Sequence, residues 1–282
     1  METKKQYIMN NINEHHKEAV SLSKPVFATI LQGSQNYGLD IYTDEYKSDI
    51  DSKCIVLPTF EDFCGNRSPA SHTHIRENNE HIDIKDIRIM FDTFRKQNIN
   101  FVEILFSDYY VVSDMWVKEF YQLRNMAEDL THAHPAQTMR TMAGMSMEKR
   151  KALCHPYPTL IEKIEKYGYD GKQLSHIIRL TDFMERYAAG ESFRECLVPT
   201  GKYRDLIMDA KLSKFSLEEA LELANEHDRR NREMKDNYIA KYGDVVNTKP
   251  YEQLNELKTK ILKKYFRFEL MQETEKKIIY EY

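Results

Sequence analysis

The run VFATILQ at residues 26–32 is short, rich in β-branched residues and almost continuously apolar, and Gly33-Ser34 closes it. That pattern is a strand covered on both faces, which requires the rest of the chain to furnish a cover for each. Ahead of it, Tyr7, Ile8, Ile12, Ala19 and Val20 are interspersed with charges, so residues 5–23 read as one amphipathic helix ending before Pro25. Beyond it, SDIDSKCIVL at 48–57 alternates, with Ile50 on one side and Asp49 and Asp51 on the other, before an apolar exit through Ile55, Val56 and Leu57. Residues 58–79 carry Pro, Gly, Asn, Ser and His and read as a loop. EHIDIKDI at 80–87 alternates again, Ile82 and Ile84 opposite Asp83 and Lys85, and gives a third short strand. Asp86 stands where an N-cap belongs, before Ile87, Met90, Phe91 and Phe94 at helical spacing. FVEILFSDYYVV at 101–112 supplies a helix end and one more strand.

From residue 113 the strand signals fade. Helices are expected over 114–130, 136–152, 158–167, 170–189, 202–211, 216–241 and 251–272, and Ser216 with Glu219 matches a capping box. A chain of 282 residues has room for two domains. The expected class is α+β, with a small mixed-sheet domain over 1–112 followed by a helical domain over 113–282. No apolar stretch approaches the roughly eighteen residues of a membrane span. METKKQYIMNNINEHH has no apolar region or cleavage site of a secretory signal, and Cys54, Cys64, Cys154 and Cys196 form no CxxC pair. Free thiols and a cytoplasmic location are therefore expected. A net charge of −4 leaves any polyanion to local patches: Lys149-Arg150-Lys151, Arg229-Arg230 with Arg232, and Lys258 to Lys264.

Asp49 and Asp51, at i and i+2 on a strand, share a face. Such a pair repels unless a cation lies between them, and hard oxygen ligands suit Mg²⁺ or Mn²⁺. Alone, Asp-x-Asp is as readily a solvated strand face. Here an apolar strand, Gly33-Ser34, a turn, the Asp-x-Asp strand and a further strand with Asp83 follow in order. In that order the chain resembles the DNA polymerase β nucleotidyltransferase superfamily. More narrowly, GSQNYGL, SDID, INFVEILF and YGYDGKQLSHIIRL resemble a nucleotidyltransferase family predicted to act in RNA repair in bacteria and phages, over about residues 26–225.

The resemblance implies that Asp49, Asp51 and Asp83 hold two Mg²⁺ ions. One carries the triphosphate of an NTP and the other activates an acceptor hydroxyl, so that NMP passes to the acceptor, an RNA or tRNA end, and pyrophosphate leaves. Gly33 permits close backbone approach and Ser34 holds phosphate, with Asn36 and Tyr37 either contacting phosphate or shaping the turn. Asp83 is preferred as third carboxylate because Asp86 has a role as a cap, with Glu80 a weaker choice.

Lys172, His176 and Arg179 form one stripe on the 170–189 helix, beside a buried stripe through Leu174, Ile177, Ile178 and Met184. The stripe is either a solvated face or, as the resemblance implies, a neutralising contact for the triphosphate. Arg140 and Lys149–Lys151 serve equally as phosphate contacts or as charges at a helix end. Cys64, His72 and His74 lack the second ligand pair of a structural zinc site. Two alternatives accompany the RNA reading: transfer to a protein or small molecule, and a nucleotide- or RNA-binding module without turnover.

Overall fold

A computed structural model describes residues 2–22 and 25–280, the side chains of 273–280 excepted. The first part runs α1 (Lys4–Leu22), β1 (Val26–Gln32), a 3₁₀ turn (Ser34–Tyr37), β2 (Asp51–Val56), α2 (Phe60–Cys64), β3 (Ser71–Ile75) and β4 (His81–Asp86). It continues through α3 (Ile87–Arg95), α4 (Ile99–Val102), a 3₁₀ turn (Glu103–Phe106) and β5 (Tyr110–Val112). The remainder is helical: α5 (Val117–Asn125), α6 (Ala127–Thr131), α7 (Pro135–Ala152), α8 (Ile161–Tyr167), α9 (Gly171–Ala188), α10 (Phe193–Leu197), α11 (Gly201–Lys211), α12 (Leu217–Tyr242) and α13 (Lys249–Tyr280). The class is α+β with a mixed sheet, as the sequence implies.

The five strands lie in the order β3-β4-β2-β1-β5. β1 is antiparallel to both its neighbours, β2 and β4 are parallel, and β3 returns antiparallel to β4. Two differences from the sequence reading matter. The segment 58–79, read as loop, contains α2 and the edge strand β3. The second strand is shorter than 48–57: its ladder begins at Asp51, which leaves Asp49 and Ile50 ahead of the paired strand. β3 was hidden because Ser71, His72, Thr73 and Ile75 are exposed and His74 is half-buried, so it has no buried face to impose a hydrophobic alternation.

β1 is covered on both sides. On one face α1 contributes Ile8 and Ile12 against Leu31 and Ile50, and Ala19 against Cys54, Val56, Ile82 and Ile84. On the other, Phe27, Ala28, Ile30 and Ile55 join the largest core, with Phe91 and Phe94 of α3, Phe120 of α5, Phe183 of α9 and Leu257 and Ile261 of α13. The ladder shifts register between Val26 and Ala28, which lets Phe27 and Ala28 enter the same core in succession. This core joins residues on both sides of the expected boundary at 112.

Among the helices, Asp86 caps α3 by accepting from the Arg88 amide, and Ser216 and Glu219 close the capping box of α12. The expected 114–130 helix is broken into a 3₁₀ turn at Asp114–Trp116, α5 and α6. α10 was not expected, although Ser192 and Glu195 form the same kind of box before it. Among the described residues no helix is long and apolar enough to cross a membrane.

Two stability effects follow. Phe27, fully buried with Trp116 and Phe120 as ring neighbours, is expected to cost about 3–5 kcal/mol in urea unfolding when replaced in Phe27→Ala. Ser216→Ala removes only a cap, and a loss of about 1 kcal/mol is expected by the same measurement.

Candidate functional site

Gly33 ends β1 with φ of +114°, a conformation that side-chain-bearing residues rarely adopt, and turns the chain into the 3₁₀ turn. In that turn Asn36 spends its amide on the protein: Nδ2 donates to the Leu31 carbonyl at 3.0 Å and Oδ1 accepts from Ser107 Oγ at 2.6 Å. Tyr37 and Leu39 then bury themselves among Leu174, Ile177 and Ile178 of α9 and Tyr203 and Ile207 of α11. The Gly-Ser turn is thereby fixed against the helical half of the chain.

Ladder register places Asp51 beside Gln32, and Lys53 beside Ile30 on one side and Asp83 on the other, so Asp51, Lys53 and Asp83 project from one face. Asp49 is exposed and Asp51 partly so. One Asp51 oxygen accepts from the His81 amide at 2.9 Å and lies 3.3 Å from His81 Nδ1. Asp83 is held differently. Its carboxylate takes Lys53 Nζ at 2.8 Å and Lys85 Nζ at 3.1 Å. Burial alone would raise its pKa, but the two ammonium groups bring it below the usual carboxylate range.

Lys53 is itself buried, its Nζ 3.9 Å from the centre of the Phe101 ring. Burial lowers its pKa, while Asp83 and Glu103 favour its charge. Glu103 is buried 3.5 Å from Arg179 Nη2, and burial raises its pKa against the pull of Arg179 and Lys53. The Arg179 guanidinium covers the Tyr37 ring at 4.1 Å, while its Nε and Nη1 have no hydrogen-bond partner among the described residues. Burial raises the Tyr37 hydroxyl, so the phenol stays neutral.

Around Ser34 a second group of charges collects. Lys211, the last residue of α11, places Nζ 2.6 Å from the Leu39 carbonyl and 3.5 Å from Ser34 Oγ. Burial lowers its pKa, Lys172 lowers it further, and Asp40 and Asp49 act in the opposite direction. Lys149 of α7 is lowered by burial and by Lys172. The His176 pKa lies well below its ordinary 6.5, first because of burial and then because Arg179, Lys149, Lys172 and Lys211 surround it. Lys149, Lys172 and Lys211 thus form a cationic group from three helices about the neutral His176, and none of the three lysines has a carboxylate partner within ion-pair distance among the described residues.

The structure therefore brings Ser34, Tyr37, Lys172, His176 and Arg179 into one neighbourhood and assigns Asn36 to holding the turn. Glu80 is directed elsewhere: it is buried and accepts from the Ile50 amide, and its hydrogen bonds overcome burial to bring its pKa down to about 2. The other basic patches are largely paired. Arg140 chelates Asp244, Arg229 meets Glu233, Arg230 meets Glu185, Arg232 meets Asp228, and Lys260 and Lys264 share Glu119. His74 bonds Glu18 at 2.6 Å.

Lys53, Glu103 and Lys211 were not singled out in the sequence. Lys211 is a lone charge at a helix end, and only the packing of α11 on α9 brings it to Ser34.

Among the described residues no three His, Cys, Asp or Glu side chains are grouped to hold a metal ion. Asp49 and Asp51 nonetheless fit a hard cation of the Mg²⁺ type, which is commonly bound by one or two carboxylates with substrate phosphates completing the shell. Compared with models of known protein families and with curated protein sequences, the chain matches none of them.

The neutral His176 has a consequence for stability. Its folded pKa is depressed, so between that value and 6.5 the unfolded chain binds a proton that the folded chain does not, and stability falls as pH drops through this window. His16 and His227 act in the same sense, whereas Asp182, raised by burial to about 6, acts in the opposite one. The stability lost on going from about pH 7.5 to about pH 5.5, read from urea midpoints, is expected to be smaller in His176→Gln than in the unaltered protein.

Proposed function

We propose that the protein is a Mg²⁺-dependent nucleotidyltransferase of the polymerase β type, which moves NMP from an NTP onto an acceptor hydroxyl, an RNA or tRNA end. The observation that carries this reading is Lys211 Nζ at 3.5 Å from Ser34 Oγ, within electrostatic reach of both Lys172 and Asp49 and close to the neutral His176. Clustered cations without carboxylate partners call for an anion. The exposed Asp49 and the partly exposed Asp51 call for a cation, and a metal-bound triphosphate supplies both charges.

In this reading Lys211, Lys172 and Lys149 take the phosphate oxygens. Ser34 and its amide approach them along the turn that Gly33 opens. Arg179, braced on Tyr37, has two nitrogens, Nε and Nη1, without a partner among the described residues, in a buried setting where a charged hydrogen bond is strong. Asp49 and Asp51 hold the metal, which when bound neutralises phosphate charge and makes the acceptor hydroxyl more acidic. Asp83 would join them only where a bound cation took the place of Lys53 at its carboxylate.

A second acceptor class has a specific observation in its favour. The Arg229–Arg232 and Lys260–Lys264 patches are already paired with carboxylates, which leaves few free cations for an RNA backbone. A protein or small-molecule hydroxyl needs no such track. Incubation with α-³²P-NTP, Mg²⁺ and total cellular RNA or protein separates the two: label in RNA alone is expected, and label only in protein overturns the RNA assignment.

Asp49→Asn and Asp51→Asn are each expected to reduce transfer by roughly a hundredfold or more while the fold is retained. Unchanged transfer defeats the catalytic reading and leaves a binding module. Lys211→Met is expected to raise the KM for NTP by about tenfold, through loss of a charge-assisted contact.

A further inference from the structure

Asp49 and Ile50 precede the ladder of β2, so the sheet does not fix them, yet the peptide unit that joins them is gripped at both ends. Its carbonyl, on Asp49, accepts from Gln35 Nε2 at 2.7 Å, and the same amide lies 3.4 Å from the Ser48 carbonyl. Its N–H, on Ile50, donates to Glu80 Oε1 at 3.1 Å. A planar trans peptide points these two groups in opposite directions, so the holds come from opposite sides and fix the orientation of the plane. The Ile50 side chain adds a third hold, buried with Ile8, Ile12 and Leu31.

Glu80 is fixed in turn. Its second oxygen meets His15 Nε2 at 3.1 Å and Arg76 Nη1 at 2.8 Å, and His15 Nδ1 lies 2.9 Å from Ser52 Oγ. Ser52, His15 and Glu80 follow the order of a hydrolytic triad. However, Ser52 and His15 are fully buried, Glu80 is 4% exposed, and Ser52 points to the face covered by α1. No substrate reaches this serine. A charged group sealed behind a strand is costly unless it is fully hydrogen-bonded, and its attested use is to specify one arrangement.

We infer that Glu80 and Gln35 are positioning residues for the nucleotidyl-transfer site, holding the Asp49–Ile50 peptide plane so that the Asp49 and Asp51 carboxylates meet a divalent cation at a fixed separation. His15 acts one step behind, orienting Glu80 from α1. The inference rests on the reading of Asp49 and Asp51 given above. Both act through the Asp49–Ile50 backbone, so their loss is expected to act on metal geometry and turnover and to spare nucleotide binding.

The test uses the full chain with Mn²⁺ as the probe, its binding read by electron paramagnetic resonance. Folding is read by circular dichroism, and label transfer from α-³²P-NTP gives kcat and KM. Glu80→Ala and Gln35→Ala are each expected to weaken Mn²⁺ binding and lower kcat by about tenfold or more, with KM for NTP within about threefold, since displacements of this kind are costly to chemistry. Glu80→Gln keeps an acceptor for the Ile50 amide and is expected to recover most of the loss. Folded Glu80→Ala and Gln35→Ala proteins with unaltered Mn²⁺ affinity and kcat overturn the inference and leave the transferase reading standing. Should Glu80→Ala not fold, Gln35→Ala decides by the same numbers. An unaltered protein whose Mn²⁺ binding is absent, or indifferent to Asp51→Asn, overturns the transferase reading and this inference with it.

Discussion

Burial of β1 on both faces is the constraint on which the rest of the structure depends. Its seven residues cannot be covered by the sheet itself, so α1 closes one face through Ile8, Ile12 and Ala19, and α3 together with helices following β5 closes the other around Phe27, Ala28 and Ile30. Because the second cover draws on the helical part of the chain, the strand and the helices are parts of one packed body. Burying this apolar surface is the dominant favourable contribution to such a fold. It also leaves the end of β1 at Gly33 facing α9 and α11, where Tyr37 and Leu39 complete the contact.

The two faces of the sheet differ electrostatically. Behind the strands, His15, Glu80, Arg76 and Ser52 form a closed, satisfied network that holds the chain entering β2. In front, charge is compensated only in part. Lys53 lies against Asp83 and Glu103 opposes Arg179, yet Arg179 Nε and Nη1 have no partner, and Lys149, Lys172 and Lys211 have no carboxylate within ion-pair distance among the described residues. Closed networks hold a backbone, and incompletely compensated charge is what a site for a charged ligand retains.

Much of the local structure is legible in the sequence. β1 is found over 26–32 as read, β4 lies within 80–87, Asp86 caps α3 and Ser216 caps α12, because each depends on a pattern confined to a few residues. β3 escaped because its residues are mostly exposed, and α10 because its box was not read. Within the site, Gly33-Ser34 and Asp49-Ile50-Asp51 stood out by spacing. Lys211, Glu103 and Gln35 did not, since each acquires its partner from a distant or irregular segment: Lys211 meets Ser34 across 177 positions.

By itself the sequence determined the strong periodicities: that β1, β2 and β4 are strands and α1, α9 and α12 helices, where several begin, and that an acidic pair follows a Gly-Ser turn. Those are properties of neighbouring residues, set by side-chain alternation and by capping hydrogen bonds. Only the tertiary structure decided that Asp83 is held by Lys53 and Lys85, that Glu80 serves the backbone of Ile50, that Lys211 meets the Gly-Ser turn, and that Lys149, Lys172 and Lys211 act together on His176. Compensation of charge depends on distance through space and on burial, and neither is written in the order of residues along the chain.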